Sequence, residues 1–189
     1  MKRTLFAIMA IATAVGIIGC SNHKGWTEKQ REEMRRDVRA YRELPYLDNL
    51  EEIELEVFSN DVTEAIEIDY PVYTTFVELP GRGDTVEVYV VQTIVSELQA
   101  DAHNMRKIYP YRDLVKEGIL PKDLDRQAQR AFYQCFANRV NNTFPSVGAF
   151  FNAVLADTTQ NSTIEQLQRQ CASDLFDWVV EVDEVVVLE

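Results

Sequence analysis

Apart from its carboxylates, this chain has few residues able to do acid–base or metal chemistry. Its 189 residues include two histidines, His23 and His103, too few for a histidine-based metal site. No glycine-rich phosphate loop, nucleophile elbow, Cys-x-x-Cys, His-Glu-x-x-His or calcium-loop pattern occurs in it. The chain has 31 Asp and Glu residues, so pairs of acids occur at every spacing by chance. A pair such as Asp61 and Glu64 therefore does not identify a glycosidase-type site. The sequence therefore predicts no catalytic residue, no metal ligand and no cofactor.

The remaining reactive side chains are three cysteines, and the first of them closes a segment with the pattern of an export signal. Two basic residues precede an apolar run from Leu5 to Ile18, which is shorter than the roughly 20 residues that span a bilayer. The residues that close this run resemble the lipobox of bacterial lipoproteins: Ile17, Ile18, Gly19 and Cys20. The resemblance implies that residues 1–19 are a signal peptide that is removed. It also implies that Cys20 becomes the first residue and carries lipid on its sulfur and its amine.

The lipoprotein resemblance also implies where the protein resides. Residues 20–26 would form a short lipidated tether, and Ser21 directly after the cysteine is similar to the outer-membrane sorting choice of such proteins. No acidic cluster of the kind that marks surface export in some bacteria follows Cys20. We therefore expect attachment to a membrane through lipid on Cys20, in the bacterial cell envelope, at the outer membrane and facing the periplasm.

The other two cysteines are expected to form a disulfide. An even number of cysteines in an oxidising compartment favours pairing, and Cys135 and Cys171 both fall on apolar faces of predicted helices. The alternative is a pair of small buried hydrophobic side chains, which is how free cysteine usually behaves. The disulfide requires the two Cα atoms to lie within about 7 Å of each other.

Amphipathic helices are predicted to position these cysteines. They cover residues 27–43, residues 121–142, the stretch after Pro145 and the stretch from Ser162, with a further helix over residues 96–108. Capping boxes open the first helix at Thr27 and the last at Ser162. The apolar stripes of these segments predict a core that includes Phe132, Phe136, Phe150, Phe151, Leu167 and Trp178.

The segments before these helices carry strand-like patterns. The segment from Asp48 to Phe58 has both strand and helix signals, and its type stays open. Residues 66–79 and 85–95 are rich in β-branched and aromatic residues and flank a Gly-rich loop, which predicts a hairpin, although apolar residues from Asp84 onwards also recur near helical spacing. The Val-dense stretch from Trp178 to Leu188 predicts a strand that pairs with this hairpin.

The expected fold class is therefore α+β. Residues 27–189 would form a helix-dominated single domain with a small antiparallel sheet, and the alternative is a mainly α fold. The length suits one ordinary domain, because a chain of this size can bury a sizeable core.

The net charge of the chain limits the kind of macromolecule that it could bind. Removal of the signal peptide, with Lys2 and Arg3, changes the formal net charge from −12 to −14, which disfavours nucleic acid. Residues 48–100 hold 13 acids and one base, whereas residues 101–147 hold 5 acids and 8 bases. These two segments either face each other or form solvated surfaces.

Together these observations predict a membrane-anchored envelope lipoprotein that is not catalytic. It would bind an envelope protein as partner or support an envelope assembly. The alternative is a periplasm-facing enzyme of unknown reaction whose site no sequence motif reveals.

Overall fold

The described part of this protein is built from helices. The computed structural model describes residues 25–156 and 160–178, with the backbone alone at residues 160 and 161. Within these ranges the α-helices are α1 Glu28–Arg39, α2 Pro45–Asp48, α3 Glu52–Asp69, α4 Tyr73–Val77, α5 Arg82–Ala100, α6 Tyr111–Lys116, α7 Arg126–Thr143, α8 Val147–Leu155 and α9 Gln160–Phe176. A 3₁₀ helix, Ala102–Lys107, follows α5. The same residues contain no strand, so the predicted small antiparallel sheet is wrong and the mainly α alternative fits.

The predicted hairpin of residues 66–79 and 85–95 is replaced by the end of α3, the short α4 and the long α5. Four apolar residues at a spacing of four are all buried on one side of α5: Val86, Val90, Ile94 and Leu98. Burying such side chains stabilises by about 1.5–3 kcal/mol each, whereas β-branched residues weaken a helix by less than about 1 kcal/mol each. The Gly-rich loop becomes the start of α5, where Gly81 has a φ of 73° that favours glycine.

The segment from Asp48 to Phe58, whose type the sequence leaves open, is mostly helical. Helix α3 begins at Glu52, and the backbone N–H of Glu51 donates to the Glu54 carboxylate at 3.0 Å. Of the alternating apolar residues, Leu55 is buried, whereas Ile53 and Val57 are exposed. The alternating apolar residues therefore lie on the buried and the exposed sides of a helix. They do not mark one face of a strand.

The other predicted helices are present with shifted ends. Helix α1 has the predicted capping box at Thr27 and ends at Arg39, before the expected Glu43. Helix α7 begins at Arg126, later than expected, because the Asp125 carboxylate caps it by accepting from the backbone N–H of Ala128 at 2.7 Å. The helix expected over residues 96–108 is divided between α5 and the 3₁₀ helix.

Five of the six predicted core residues are buried. Phe132, Phe136, Phe150 and Phe151 have no exposed surface, and Leu167 is 8% exposed. Trp178 is 39% exposed, so its placement in the core is wrong, and its indole N–H donates to the carbonyl of Gly118 at 3.2 Å. The rest of the strand predicted from Trp178 to Leu188 lies outside the described residues.

Two groups of helices share the hydrophobic core. We call α1, α3 and α5 the N-terminal helices, because α3 packs against both α1 and α5. We call α7, α8 and α9 the C-terminal helices, in which α7 packs against α9 and the 3₁₀ helix. Contacts of α5 with α8 and with the 3₁₀ helix join the two groups. One cluster of buried hydrophobic residues runs through both groups.

Candidate functional site

A disulfide joins the two longest C-terminal helices. Cys135 on α7 and Cys171 on α9 are bonded, and their Cα atoms lie 5.9 Å apart. Cys171 has no exposed surface, and Cys135 is half-buried against the core. The predicted disulfide is thus present in the structure. It cross-links the core and does not present a reactive thiol.

Trp26, near the start of the described residues, is part of the core, although the sequence assigns it to the tether, and we call Gly25 and Trp26 the chain entry. The Trp26 side chain is 3% exposed, and its ring lies 4.9 Å from that of Tyr73 and 5.5 Å from that of Phe76. Its indole N–H donates to the carbonyl of Tyr70 at 2.8 Å, and its backbone N–H donates to the Glu67 carboxylate at 2.9 Å. Trp26 is therefore fixed to the C-terminal end of α3. Cys20 and His23 lie outside the described residues.

Gly25 permits this close approach of Glu67. A Cβ atom at position 25 would lie 3.1 Å from the Glu67 carboxylate oxygen that accepts from Trp26. The same carboxylate accepts two hydrogen bonds from Arg31, at 2.7 and 2.8 Å. The Arg31 guanidinium lowers the pKa of Glu67, and the bond from Trp26 lowers it further against the opposing effect of burial. Glu67 therefore binds both the chain entry and α1 as a carboxylate.

The most buried titratable cluster contains Tyr46, Glu97 and Lys107. The ammonium group of Lys107 donates to the Tyr46 hydroxyl oxygen at 3.0 Å and to the Glu97 carboxylate at 2.9 Å. The Tyr46 hydroxyl in turn donates to the same Glu97 oxygen. Burial raises the pKa of Tyr46, and the hydrogen bond to Glu97 raises it further. Each polar group thus has a partner, and the cluster joins α2, α5 and the 3₁₀ helix.

This cluster has the composition of an acid–base site without the access that such a site needs. Tyr46 has no exposed surface and Lys107 is 9% exposed, and the Glu97 side chain, at 26%, is the most exposed of the three. Four clefts described in the structure have other linings, and none includes Tyr46, Glu97 or Lys107. A catalytic group must reach its substrate within hydrogen-bond distance. The geometry therefore assigns this cluster to the structural connection between helices.

The largest of these clefts, about 650 Å³, lies between α1 and α3. Its wall includes Arg31 and Arg35, with Glu64 and Glu67 among the opposing residues. Arg31 binds Glu67, and Arg35 binds Glu28 and Glu32 of its own helix at 2.6 and 2.7 Å. These arginines already have carboxylate partners, so the cleft does not offer a free cationic site for an anion.

A second cleft, of about 600 Å³, lies between the end of α5 and the helices α7 and α8. Its polar lining consists mainly of exposed side chains with amide, carboxylate and hydroxyl groups: Gln99, Asp101, Gln134, Asn138, Asn141 and Ser146. Ser146 already accepts from the backbone N–H of Ala149, at 3.0 Å. The lining contains one formal charge and no buried polar side chain that would fix the orientation of a ligand.

The remaining candidates from the sequence do not come together in a site. His103 is half-buried, with its ring 5.7 Å from that of Tyr133, and burial lowers its pKa. Glu64 lies on the wall of the α1–α3 cleft, and Asp61 is exposed. No group of three or more His, Cys, Asp or Glu in residues 25–156 and 160–178 could hold a metal ion.

The acidic segment, residues 48–100, forms most of its ion pairs with α1 and the turn that follows it. Glu52 and Glu67, at the two ends of the acidic α3, bind arginines of α1 and the turn that follows it. The basic segment after residue 100 contributes Arg106, which binds Glu54 at 2.9 Å, and the Lys107 pair with Glu97. The acidic segment therefore pairs with basic residues on both sides of it in the sequence. Those that precede it, in α1 and the following turn, supply most of the contacts.

Comparison of the chain with protein-family models, with curated proteins and with solved structures finds no match in any of the three. Among the described helices, none combines the length and the apolar composition needed to cross a bilayer.

Proposed function

We propose that this protein is a lipoprotein of the bacterial cell envelope, attached through lipid on Cys20 to the outer membrane and facing the periplasm. The lipid anchor and the location rest on the lipobox resemblance, and the structural observation that supports export is the disulfide between Cys135 and Cys171. Stable disulfides are typical of exported proteins and rare in the cytosol. The disulfide uses two of the three cysteines, and the third, Cys20, ends the segment that resembles a lipobox.

The position of Trp26 supports an anchored domain that lies close to the membrane. Cys20 and Trp26 are six residues apart, and an extended chain of this length spans at most about 20 Å. Trp26 is buried and hydrogen-bonded to the end of α3. Lipid on Cys20 would therefore hold one particular end of the molecule near the bilayer.

We further propose that the protein acts without catalysis, by binding an envelope protein or by supporting an envelope assembly. Two observations support this role. The buried cluster of Tyr46, Glu97 and Lys107 is occupied with its own hydrogen bonds. The arginines of the largest cleft are paired with carboxylates. The formal net charge of −12 disfavours nucleic acid as the partner.

Metabolic labelling with an alkyne fatty acid tests the anchor. We expect the wild-type protein to incorporate the label and to fractionate with membranes, and the Cys20→Ala variant to lose the label. The matched control is the double variant Cys135→Ala/Cys171→Ala, which should keep the label because its lipobox is intact. Equal labelling of wild type and Cys20→Ala would refute the proposal.

A further inference from the structure

The chain entry lies beside an exposed apolar surface at the C-terminal end of α3. This surface consists of Ile68, Pro71 and Val72, and we call it the apolar corner. Ile68 is 71% exposed, Val72 is 54% exposed, and Pro71 is also exposed. Single exposed apolar residues are normal, whereas a contiguous group of them marks a contact surface more often.

The apolar corner and Trp26 are fixed to each other by short contacts. Glu67 and Tyr70, which accept the two hydrogen bonds from Trp26, directly precede Ile68 and Pro71 in the sequence. The aromatic rings of Tyr73 and Phe76, which follow Val72 in the sequence, pack against the indole of Trp26. The corner therefore moves with the chain entry as one rigid unit.

Two of the charged groups at this end of α3 have partners within the protein, whereas Glu64, one turn before Ile68, is exposed. Glu67 is bound by Arg31, and the Asp69 carboxylate accepts a hydrogen bond from the Tyr89 hydroxyl. The domain as a whole is acidic, so it is not drawn to an anionic lipid surface by its net charge. A contact of this corner with lipid would depend on apolar burial and would respond weakly to salt.

We infer that the apolar corner lies against the lipid surface in the anchored protein, so that α3 points with its C-terminal end toward the membrane. The inference rests on the proposed lipidation of Cys20. The length of chain from Cys20 to Trp26 limits how far the corner can lie from the lipid, to about 20 Å. The anchor supplies proximity, and Ile68, Pro71 and Val72 supply the apolar area that makes one orientation favourable.

The chain offers a matched control for this orientation. Ile53, in the first turn of α3, is 76% exposed, which is as much as Ile68. The two residues are 15 positions apart, which corresponds to about 22 Å along a helix. A probe at position 53 would therefore lie on the same helix, with the same exposure to water, but away from the lipid.

The test uses the full chain, processed in bacteria, purified and reconstituted in phosphatidylcholine vesicles. The variants Ile68→Cys and Ile53→Cys each add one free thiol, because the other cysteines are lipidated or disulfide-bonded. The thiol is labelled with an environment-sensitive fluorophore, and quenching by spin-labelled phosphatidylcholine is measured. We expect at least threefold stronger quenching at position 68 than at position 53, unchanged in 0.5 M NaCl.

The outcomes separate the inference from the anchor. If the labelled proteins float with the vesicles but positions 68 and 53 are quenched equally, the orientation is wrong and the lipid anchor stands. If the labelled proteins do not float, the proposed anchor is wrong, and the orientation is wrong with it. In the variant Ile68→Cys/Val72→Ser, weaker quenching at position 68 with flotation unchanged would show that the corner itself makes the contact. Quenching equal to that of Ile68→Cys would show that the tether alone sets the distance and would overturn the role of the corner.

Discussion

The N-terminal and C-terminal helices share one buried core but differ in the further contacts that join them. Helices α1 and α3 bury residues such as Met34 and Phe58 in this core and add ion pairs at the surface, of which the bond from Arg31 to Glu67 is the best formed. Helices α7 and α9 also have an ion pair, between Arg139 and Asp174, but they are joined in addition by the Cys135–Cys171 disulfide, and the ring of Phe136 on α7 lies within 6.1 Å of that of Phe150 on α8. Ion pairs at a surface are weak and sensitive to salt, whereas aromatic packing and a covalent bond are neither. We therefore expect the two groups of helices to respond differently to substitution, reduction, salt and pH.

The largest effect is expected for Phe136→Ala. Phe136 has no exposed surface and contacts the rings of Tyr109, Phe132 and Phe150. Truncation of a buried aromatic side chain costs about 3–5 kcal/mol of unfolding free energy. Urea denaturation followed by circular dichroism measures the loss. Leu175→Ala, at a residue of α9 that is 42% exposed, is the control and should cost less than about 1 kcal/mol.

Removal of the disulfide is expected to have the next largest effect. The double variant Cys135→Ala/Cys171→Ala frees a loop with a sequence separation of 36, which corresponds to about 3–4 kcal/mol on the chain-entropy model. Wild-type protein treated with a reductant should lose a similar amount, and the double variant should not respond to the reductant. Two reactive thiols per chain in denatured, unreduced protein from the envelope would contradict the bond.

A smaller effect is expected at the boundary between α1 and α3. The side chains of Arg31 and Glu67 are 40% and 17% exposed, so solvent screens much of their attraction. Arg31→Met should cost about 1 kcal/mol, and the difference from wild type should shrink in 1 M NaCl. Arg36→Met is the matched control on the same helix, because Arg36 is 69% exposed and its ion pair to Glu32 is 4.0 Å long. Equal losses for the two variants would show that the Arg31–Glu67 pair contributes no more than an exposed ion pair within one helix.

The same ion pair predicts how the N-terminal helices respond to acid. The pKa of Glu67 is lowered below 4.5 in the folded protein, chiefly by Arg31, so folding favours the carboxylate. This contribution to stability is present above about pH 4.5 and is lost as the pH falls through the lowered pKa. Arg31→Met should therefore lose less stability than wild type between pH 5 and pH 3, as measured by denaturation at each pH. Parallel losses would contradict the assignment.

The smallest effect is expected at His103, which lies beside the C-terminal helices. Burial lowers its pKa below 6.5, and its buried Nδ1 has no hydrogen-bond partner among the described residues. The folded protein then binds fewer protons than the unfolded chain just below pH 6.5, so stability is complete above that pH and falls as the pH drops. His103→Gln should flatten this slope between about pH 7 and pH 5.5. An unchanged slope would show that His103 does not contribute to it.

Local sequence patterns predicted the parts of this fold in which one signal dominates. The capping box at Thr27 and the apolar stripe through Phe132 and Phe136 each specify a helix within a few turns of chain. The sequence also favoured the disulfide over two free buried thiols, because with Cys20 assigned to lipid the remaining two cysteines are an even number on apolar helix faces.

The sequence failed where two local signals conflict. In residues 85–95 the β-branched residues indicate a strand, and the spacing of Val86 and Val90 indicates a helix. The helix forms because the residues at that spacing are buried against α3 and α8. A short stretch of sequence does not reveal this packing.

Contacts between residues that are far apart in the sequence could not be predicted either, because they produce no local pattern. The cluster of Tyr46, Glu97 and Lys107 joins positions that are 51 and 61 residues apart along the chain. The hydrogen bond from the Trp26 indole to the Tyr70 carbonyl joins residues that are 44 positions apart. Neither periodicity nor a motif connects such positions, because they meet only when the helices pack.

Mass spectrometry of the protein extracted from bacterial membranes tests the central claim most directly, because it reports the state of all three cysteines at once. We expect a chain that begins at Cys20, carries the mass of acyl groups on that residue, and contains a peptide in which Cys135 and Cys171 are cross-linked. A chain in which Cys20 is unmodified and still preceded by Gly19 would contradict the lipid anchor, and free thiols at Cys135 and Cys171 would contradict the exported, oxidised domain.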